Sequence, residues 1–238
     1  DLEALRQAGI PFAVTPEGTV TAVAEHTILL ILALYKQLLP VAESLRRGEF
    51  DMIGWRPGCR LLAGKLIGIV GFGRIGRRVA MLARAFEARV AYYDPVRSPE
   101  AERELGATFI PFSELLSQSD IISVHVPLTP ETDYLFNSHT FAQMKRGAIF
   151  INTSRGRTYD MNALYEALRS GQLGGAGLDV FEPEPPPPDH PLLRLPNVVC
   201  TPHMAAGTIE AHVMKAKAQF DNFKRVLNGE KPQNCIVI

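Results

Sequence analysis

The sequence predicts an α/β fold, a doubly wound parallel sheet, and three observations carry that prediction. Short apolar runs at residues 66–70, 120–126, 148–152 and 174–180 alternate with amphipathic stretches at helical spacing, the pattern of repeated βαβ units. The first run leads straight into the glycine turn Gly71-Phe72-Gly73-Arg74-Ile75-Gly76. Polar residues collect just after several runs, where parallel strands present their carboxyl ends to ligands.

Taken in order, residues 1–9 read as a short helix and 10–14 as a strand, so the chain enters in the middle of an α/β pattern. Residues 21–39 form a strongly apolar stretch broken only by Glu25, His26, Lys36 and Gln37, which predicts one long helix buried on more than one side. Residues 41–55 turn polar and reach the loop pair Pro57-Gly58. After the glycine turn, 74–86 carries Ile75, Val79, Leu82 and Phe86 at helical spacing, and 91–94 closes a second strand on Asp94. Helices follow at 100–105, 113–117, 138–144 and 160–170, the last capped by Asp160 and stopped by Gly171. Strands follow at 108–110 and 197–201, and a final amphipathic helix at 208–227.

The stretch 66–94 has the chemistry of a dinucleotide site. In the G-x-G-x-x-G order Gly71 permits the tight turn, Gly73 lets backbone approach a pyrophosphate, and Gly76 lets the helix pack on the strand. That helix would aim free N–H groups and a positive dipole end at the phosphates. Asp94 lies 18 positions after Gly76, where a carboxylate accepts hydrogen bonds from the adenosine ribose and repels a 2′-phosphate. NAD is therefore expected rather than NADP. Arg97 is close enough to complicate this, although Pro95 takes the position where a phosphate-binding side chain would sit.

Composition excludes more than it assigns. With 25 basic and 25 acidic residues there is no overall charge to draw nucleic acid or a membrane surface, and a small-molecule partner is expected. Cys59, Cys200 and Cys235 have neither metal nor disulfide spacing, so a reducing compartment, the cytoplasm, is expected and no metal. No signal peptide is read, and the most apolar segment is too short to span a bilayer.

Three polar residues from different loops stand out. Arg155 offers a planar fork of donors for a carboxylate, His203 can take a proton from a hydroxyl, and Glu184 can orient that imidazole. With a nicotinamide bound, these are the parts that hydride exchange with a hydroxy acid requires. His125, inside an apolar run, reads as a hydrogen-bonded core residue. His26, His139, His190 and His212 carry no signal beyond surface or packing, and Pro185–Pro188 read as a stiff spacer for the loop of Glu184.

The segments VGFGRIG, YYDP, VPLTPET, INTSRG, GAGLDVFEPEP and LPNVVCTPH, in this order, resemble the D-isomer-specific 2-hydroxyacid dehydrogenases, a family that includes phosphoglycerate, glycerate, lactate and formate dehydrogenases. The resemblance implies a Rossmann dinucleotide-binding domain over 39–206, a remnant of a flavodoxin-like substrate domain with a crossing helix over 1–38, and a return helix with the substrate domain's last segment over 207–238. It places the catalytic arginine, glutamate and histidine on Arg155, Glu184 and His203. Cofactor contacts fall on Arg74, Ile75, Asp94, Val126, Pro127, Thr132, Thr153, Asp179 and Gly207, with Asp179 beside the nicotinamide carboxamide. It also implies a homodimer paired through the cofactor domain. The chain departs from the family at Val14, usually asparagine, at Met161, usually the second acid of a pair, and in lacking the family's first part. A non-catalytic, NADH-responsive binding protein of corepressor type is the alternative, opposed by the intact trio. Formate or phosphite oxidation would use the same framework.

Overall fold

The structure, a computed structural model, describes residues 1–237. In chain order the elements are α1 (Leu2–Gln7), β1 (Phe12–Ala13), α2 (Thr19–Tyr35), α3 (Leu38–Arg46), β2 (Leu66–Val70), α4 (Arg74–Ala85), β3 (Arg89–Tyr93), α5 (Pro99–Leu105) and β4 (Thr108–Phe109). There follow α6 (Phe112–Gln118), β5 (Ile121–Val124), α7 (Ser138–Gln143), β6 (Ala148–Asn152), α8 (Met161–Arg169), β7 (Leu173–Leu178), β8 (Val198–Cys200), α9 (Ile209–Leu227) and β9 (Cys235–Val237). The described residues divide into two compact units, one of residues 23–205 and one of residues 1–22 with 206–237.

The larger unit holds a seven-stranded sheet in the order β4-β3-β2-β5-β6-β7-β8, every pairing parallel. The order reverses between β2 and β5, the switch point at which such sheets open a crevice for a ligand. Side chains alternate along the strands into two cores. Ile67, Ile69, Tyr92, Ile149 and Ile151 pack with α2, α4 and α5, while Val70, Ile122, Val124, Phe150 and Leu178 pack with α6, α7 and α8. Helices thus cover both faces, as expected of a doubly wound sheet. The glycines of β7 serve one of these contacts: a Cβ on Gly177 would lie 2.9 Å from Leu30 Cβ, and one on Gly175 would lie 3.3 Å from Leu34 Cδ2. Their absence lets α2 lie close against the sheet, where Leu30 and Ile31 are buried, each worth roughly 1.5–3 kcal/mol of transfer free energy.

The single helix expected over 21–39 is two. α2 stops at Tyr35, Gln37 takes a left-handed backbone (φ 51°), and α3 departs at 62°. Pro40 is the reason: it has no N–H to offer Lys36, and its ring clashes with a continuing helix. Residues 38–46, part of which read as a polar connection, form α3 instead. Among the described residues no single helix is long and apolar enough to cross a membrane.

In the smaller unit β1 pairs antiparallel with β9. The strand expected over 10–14 shrinks to two residues, and β9 was not expected. Gly18 lets α9 approach, since a Cβ there would meet Ala211 Cα at 2.5 Å. Thr208 caps α9 through Ala211 N–H.

Candidate active site

The carboxyl end of β2 becomes the glycine turn. Gly71 has φ 94°, and a Cβ on it would lie 2.8 Å from the carbonyl carbon of His125. A Cβ on Gly76 would lie 2.2 Å from Gly71 O, so these two glycines are demanded by the protein's own packing. At Gly73 a Cβ would meet nothing within 4 Å. Gly73 is the N-cap of α4 and brings no side chain to it, so the positive end of the helix dipole faces the turn, where an anion is favoured. Two tight glycines and one that opens onto free space at a helix N-terminus fit a dinucleotide pyrophosphate.

Asp94, after β3, accepts from Phe72 N at 2.8 Å and Val96 N at 2.9 Å, tying its strand end to the glycine turn. The cation nearest in sequence is already engaged: Arg97 donates to both oxygens of Glu102 at 2.8 and 3.0 Å and lies over the Phe109 ring. The Arg97 hydrogen bond pulls the Glu102 carboxyl down to about 2. Beyond β5, Val126 Cγ1 would lie 2.9 Å from a Cβ on Gly71, and Thr132 Oγ1 donates to Pro127 O at 2.6 Å and so closes that loop.

Arg155, Glu184 and His203 leave β6, β7 and β8, three consecutive strands of the sheet. His203 Nδ1 lies 2.7 Å from Glu184 Oε2. Because the carboxylate only accepts, Nδ1 carries the proton and Nε2 is left as the ring's acceptor. Glu184 Oε1 accepts from Phe181 N at 2.9 Å. Burial opposes ionisation of Glu184 most, but the hydrogen bonds from His203 and Phe181 N, with the charges of His203 and Arg155, hold its carboxyl below the ordinary value. Arg155 is exposed and donates to Ser154 O at 2.6 Å; among the described residues it forms no ion pair.

Buried groups fix these loops. Asp179 is wholly buried and accepts from Thr201 Oγ1 at 2.6 Å, Met204 N at 2.9 Å and Ala205 N at 2.8 Å. His203 between them is held with φ 52°. Gly156 touches the loop that leads to Glu184, since a Cβ there would lie 1.7 Å from Phe181 O. Thr153 is buried against Thr27 at 3.1 Å between hydroxyl oxygens. Gly207 alone of the expected site residues falls in the smaller unit.

The sequence model of the "D-isomer specific 2-hydroxyacid dehydrogenase, NAD binding domain" family matches residues 28–205. The chain belongs to this family. It is an NAD-dependent oxidoreductase of the D-2-hydroxyacid dehydrogenase type, acting on a 2-hydroxy acid and its 2-keto acid. The dehydrogenase is 40% identical over 239 residues to the glyoxylate reductase of Korarchaeum cryptofilum and 42% identical over 241 residues to that of Thermococcus litoralis, covering 99% of this chain and 72% of each relative. The crystal structure of Aquifex aeolicus D-lactate dehydrogenase complexed with NAD and lactic acid is 34% identical, superposes with a TM-score of 0.89, and is matched over 100% of this chain and 76% of its own.

Two groups in the dehydrogenase were underrated by sequence. His26, read as packing, has Nε2 2.8 Å from Thr201 Oγ1, and the signal available was its place beside Glu25 and Thr27 in an apolar helix. Gly156 was passed over inside its motif. His125 behaves as expected: Nε2 lies 2.8 Å from Ser123 Oγ, Nδ1 is buried without a partner, and burial pushes the ring down to about 3.

Proposed function

We propose that Arg155 binds the substrate carboxylate, that His203 exchanges a proton with the substrate oxygen, and that Glu184 holds the imidazole for that exchange. The single observation that carries this reading is the 2.7 Å contact between His203 Nδ1 and Glu184 Oε2, which commits one ring nitrogen to the carboxylate and leaves Nε2 for the substrate. Bound NAD supplies the hydride acceptor for oxidation and, when reduced, the donor for the reverse reaction. In oxidation neutral His203 removes the hydroxyl proton while Arg155 fixes the acid; in reduction the imidazolium returns it.

Gly71, Gly73, Arg74, Ile75 and Gly76 are assigned to the pyrophosphate, and Asp94 to the ribose. Val126, Pro127 and Thr132 line the cofactor's path, while Thr153, Asp179 and Gly207 complete the nicotinamide end. NAD is preferred to NADP because Asp94 would repel a 2′-phosphate and Arg97 is taken by Glu102. Residues 39–206 form the cofactor domain, with 1–38 and 207–238 belonging to the substrate domain and its crossing helices. A homodimer is supported by the exposed apolar side chains Leu38, Leu39, Leu45, Phe50, Met52 and Ile53 on and after α3, and cytoplasmic residence by the wide sequence spacing of Cys59, Cys200 and Cys235, which suits no disulfide framework. The charge balance favours neither nucleic acid nor membrane as a partner.

The test is NADH oxidation followed at the nicotinamide absorbance with glyoxylate and a panel of longer 2-keto acids. Turnover on at least one acid is expected; NADH binding with no turnover on any 2-keto acid, together with no reduction of NAD by formate or phosphite, would remove the catalytic reading.

A further inference from the structure

Two adjacent polar side chains on α2 reach the two loops that carry the reaction groups. His26 Nε2 lies 2.8 Å from Thr201 Oγ1, and that hydroxyl donates its one proton to Asp179 Oδ1 at 2.6 Å. Nε2 of His26 is therefore the donor. Asp179 in turn receives the amides of Met204 and Ala205 through its carboxylate, and the His203 amide through its carbonyl at 2.8 Å. The next residue, Thr27, is wholly buried; its hydroxyl donates to Val23 O at 2.8 Å and so accepts from Thr153 Oγ1 at 3.1 Å, two residues before Arg155.

The placement of α2 makes these contacts stiff. Its residues Leu30 and Leu34 fill the space above Gly177 and Gly175, so the helix sits against β7, between the strands that launch the two loops. His26 has 10% of its side chain exposed, which shields its hydrogen bond from water. His203 itself holds a left-handed backbone that a residue with a side chain adopts only when its surroundings impose it. Those surroundings are Asp179 and Thr201, and His26 is the group on α2 that grips Thr201.

We propose that His26 and Thr27 are positioning residues: through Thr201 and Asp179 the first sets the loop of the proton-transfer imidazole, and through Thr153 the second sets the loop of the carboxylate-binding arginine. This rests on the roles proposed above for His203 and Arg155. The two contacts act on different events, so their loss divides between turnover and substrate affinity, as loss of packing alone would not.

The experiment uses purified full-length enzyme with NADH and the best 2-keto acid. His26→Phe removes the donor and keeps the bulk; kcat should fall roughly tenfold, the size of one lost buried hydrogen bond, with KM for the acid and NADH affinity within about twofold. His26→Gln, which restores an N–H donor, should recover most of kcat. Thr27→Val should instead raise KM for the acid several-fold with a smaller effect on kcat, and Thr27→Ser should reverse it. Unchanged kinetics in His26→Phe and Thr27→Val would overturn the proposal, as would parallel losses in both that follow a lowered Tm and are not rescued by Gln or Ser. His203→Ala in the same assay separates the two levels. If it keeps full turnover, the role of His203 fails and the proposal falls with it. If it is inactive while His26→Phe and Thr27→Val are normal, only the present proposal fails.

Discussion

The half of the sheet from β4 to β2 and the half from β6 to β8 are made of the same βα units, yet they present different things at their carboxyl ends. The first half works mainly through backbone: Gly71, Gly73 and Gly76 matter for the side chains they lack, and Asp94 adds one carboxylate tied to the turn itself. The second half works through the side chains of Arg155, Glu184 and His203, each on its own loop, and needs Asp179 and Thr153, both buried, the half-buried Thr201, and the buried Tyr159, whose hydroxyl donates to Val180 O at 3.0 Å, to hold them. Backbone recognition is built in by a local turn, whereas side-chain chemistry must be braced from elsewhere in the fold.

The division should show most strongly in His203→Ala. Turnover is expected to drop roughly 10²–10⁴-fold while NADH affinity, measured by fluorescence titration, stays as in the parent; an unchanged kcat would take His203 out of the reaction. The complementary break is Gly73→Leu. No protein atom lies within 4 Å of a Cβ there, so Tm should hold within a few degrees while NADH affinity weakens by about tenfold or more. Normal NADH binding in that variant would mean that the phosphates do not approach this turn.

These halves also differ in how readable they are. The strand, glycine turn, helix and second strand were legible because each signal lies within a few residues of the next and all agree. The trio was legible as chemistry and as motif, but its support was not. Asp179 meets Thr201, Met204 and Ala205, and His26 meets Thr201 from 175 positions away, through contacts that no local pattern encodes. The break of the first long helix was written in Pro40 but masked by the apolar run around it. β9 was missed because three residues, Cys235–Val237, become a strand only by pairing with β1 at the far end of the chain.

A smaller effect sharpens the picture within the second half. Glu184 ionises below its ordinary value, so its contribution is present above the usual carboxylate range and is lost only as pH falls through that lowered value. Glu184→Gln, which removes the carboxylate that accepts from His203 Nδ1, should lower kcat several-fold with NADH affinity unchanged; an unchanged kcat would reject the pairing as functional. A further effect belongs to His125, the residue that follows β5. Burial holds His125 neutral down to about 3 against an ordinary 6.5, so unfolding takes up a proton between those values and stability falls as pH drops through that window. The slope is at most about 1.4 kcal/mol per pH unit. His125→Gln should flatten the pH dependence of stability by one proton, and an unaltered slope would show that the ring is not held neutral.

The consecutive order of β6, β7 and β8 has a consequence of its own. Neighbouring strands run about 4.8 Å apart, so the three loops start from evenly ruled lines, and the sheet sets their lateral pitch before any side chain is chosen. Lengthening one loop therefore alters the reach of a single group and leaves the origins of the other two in place. Within such a frame, loops of different length and composition can be tried for acids of different size while the spacing of their roots is inherited unchanged.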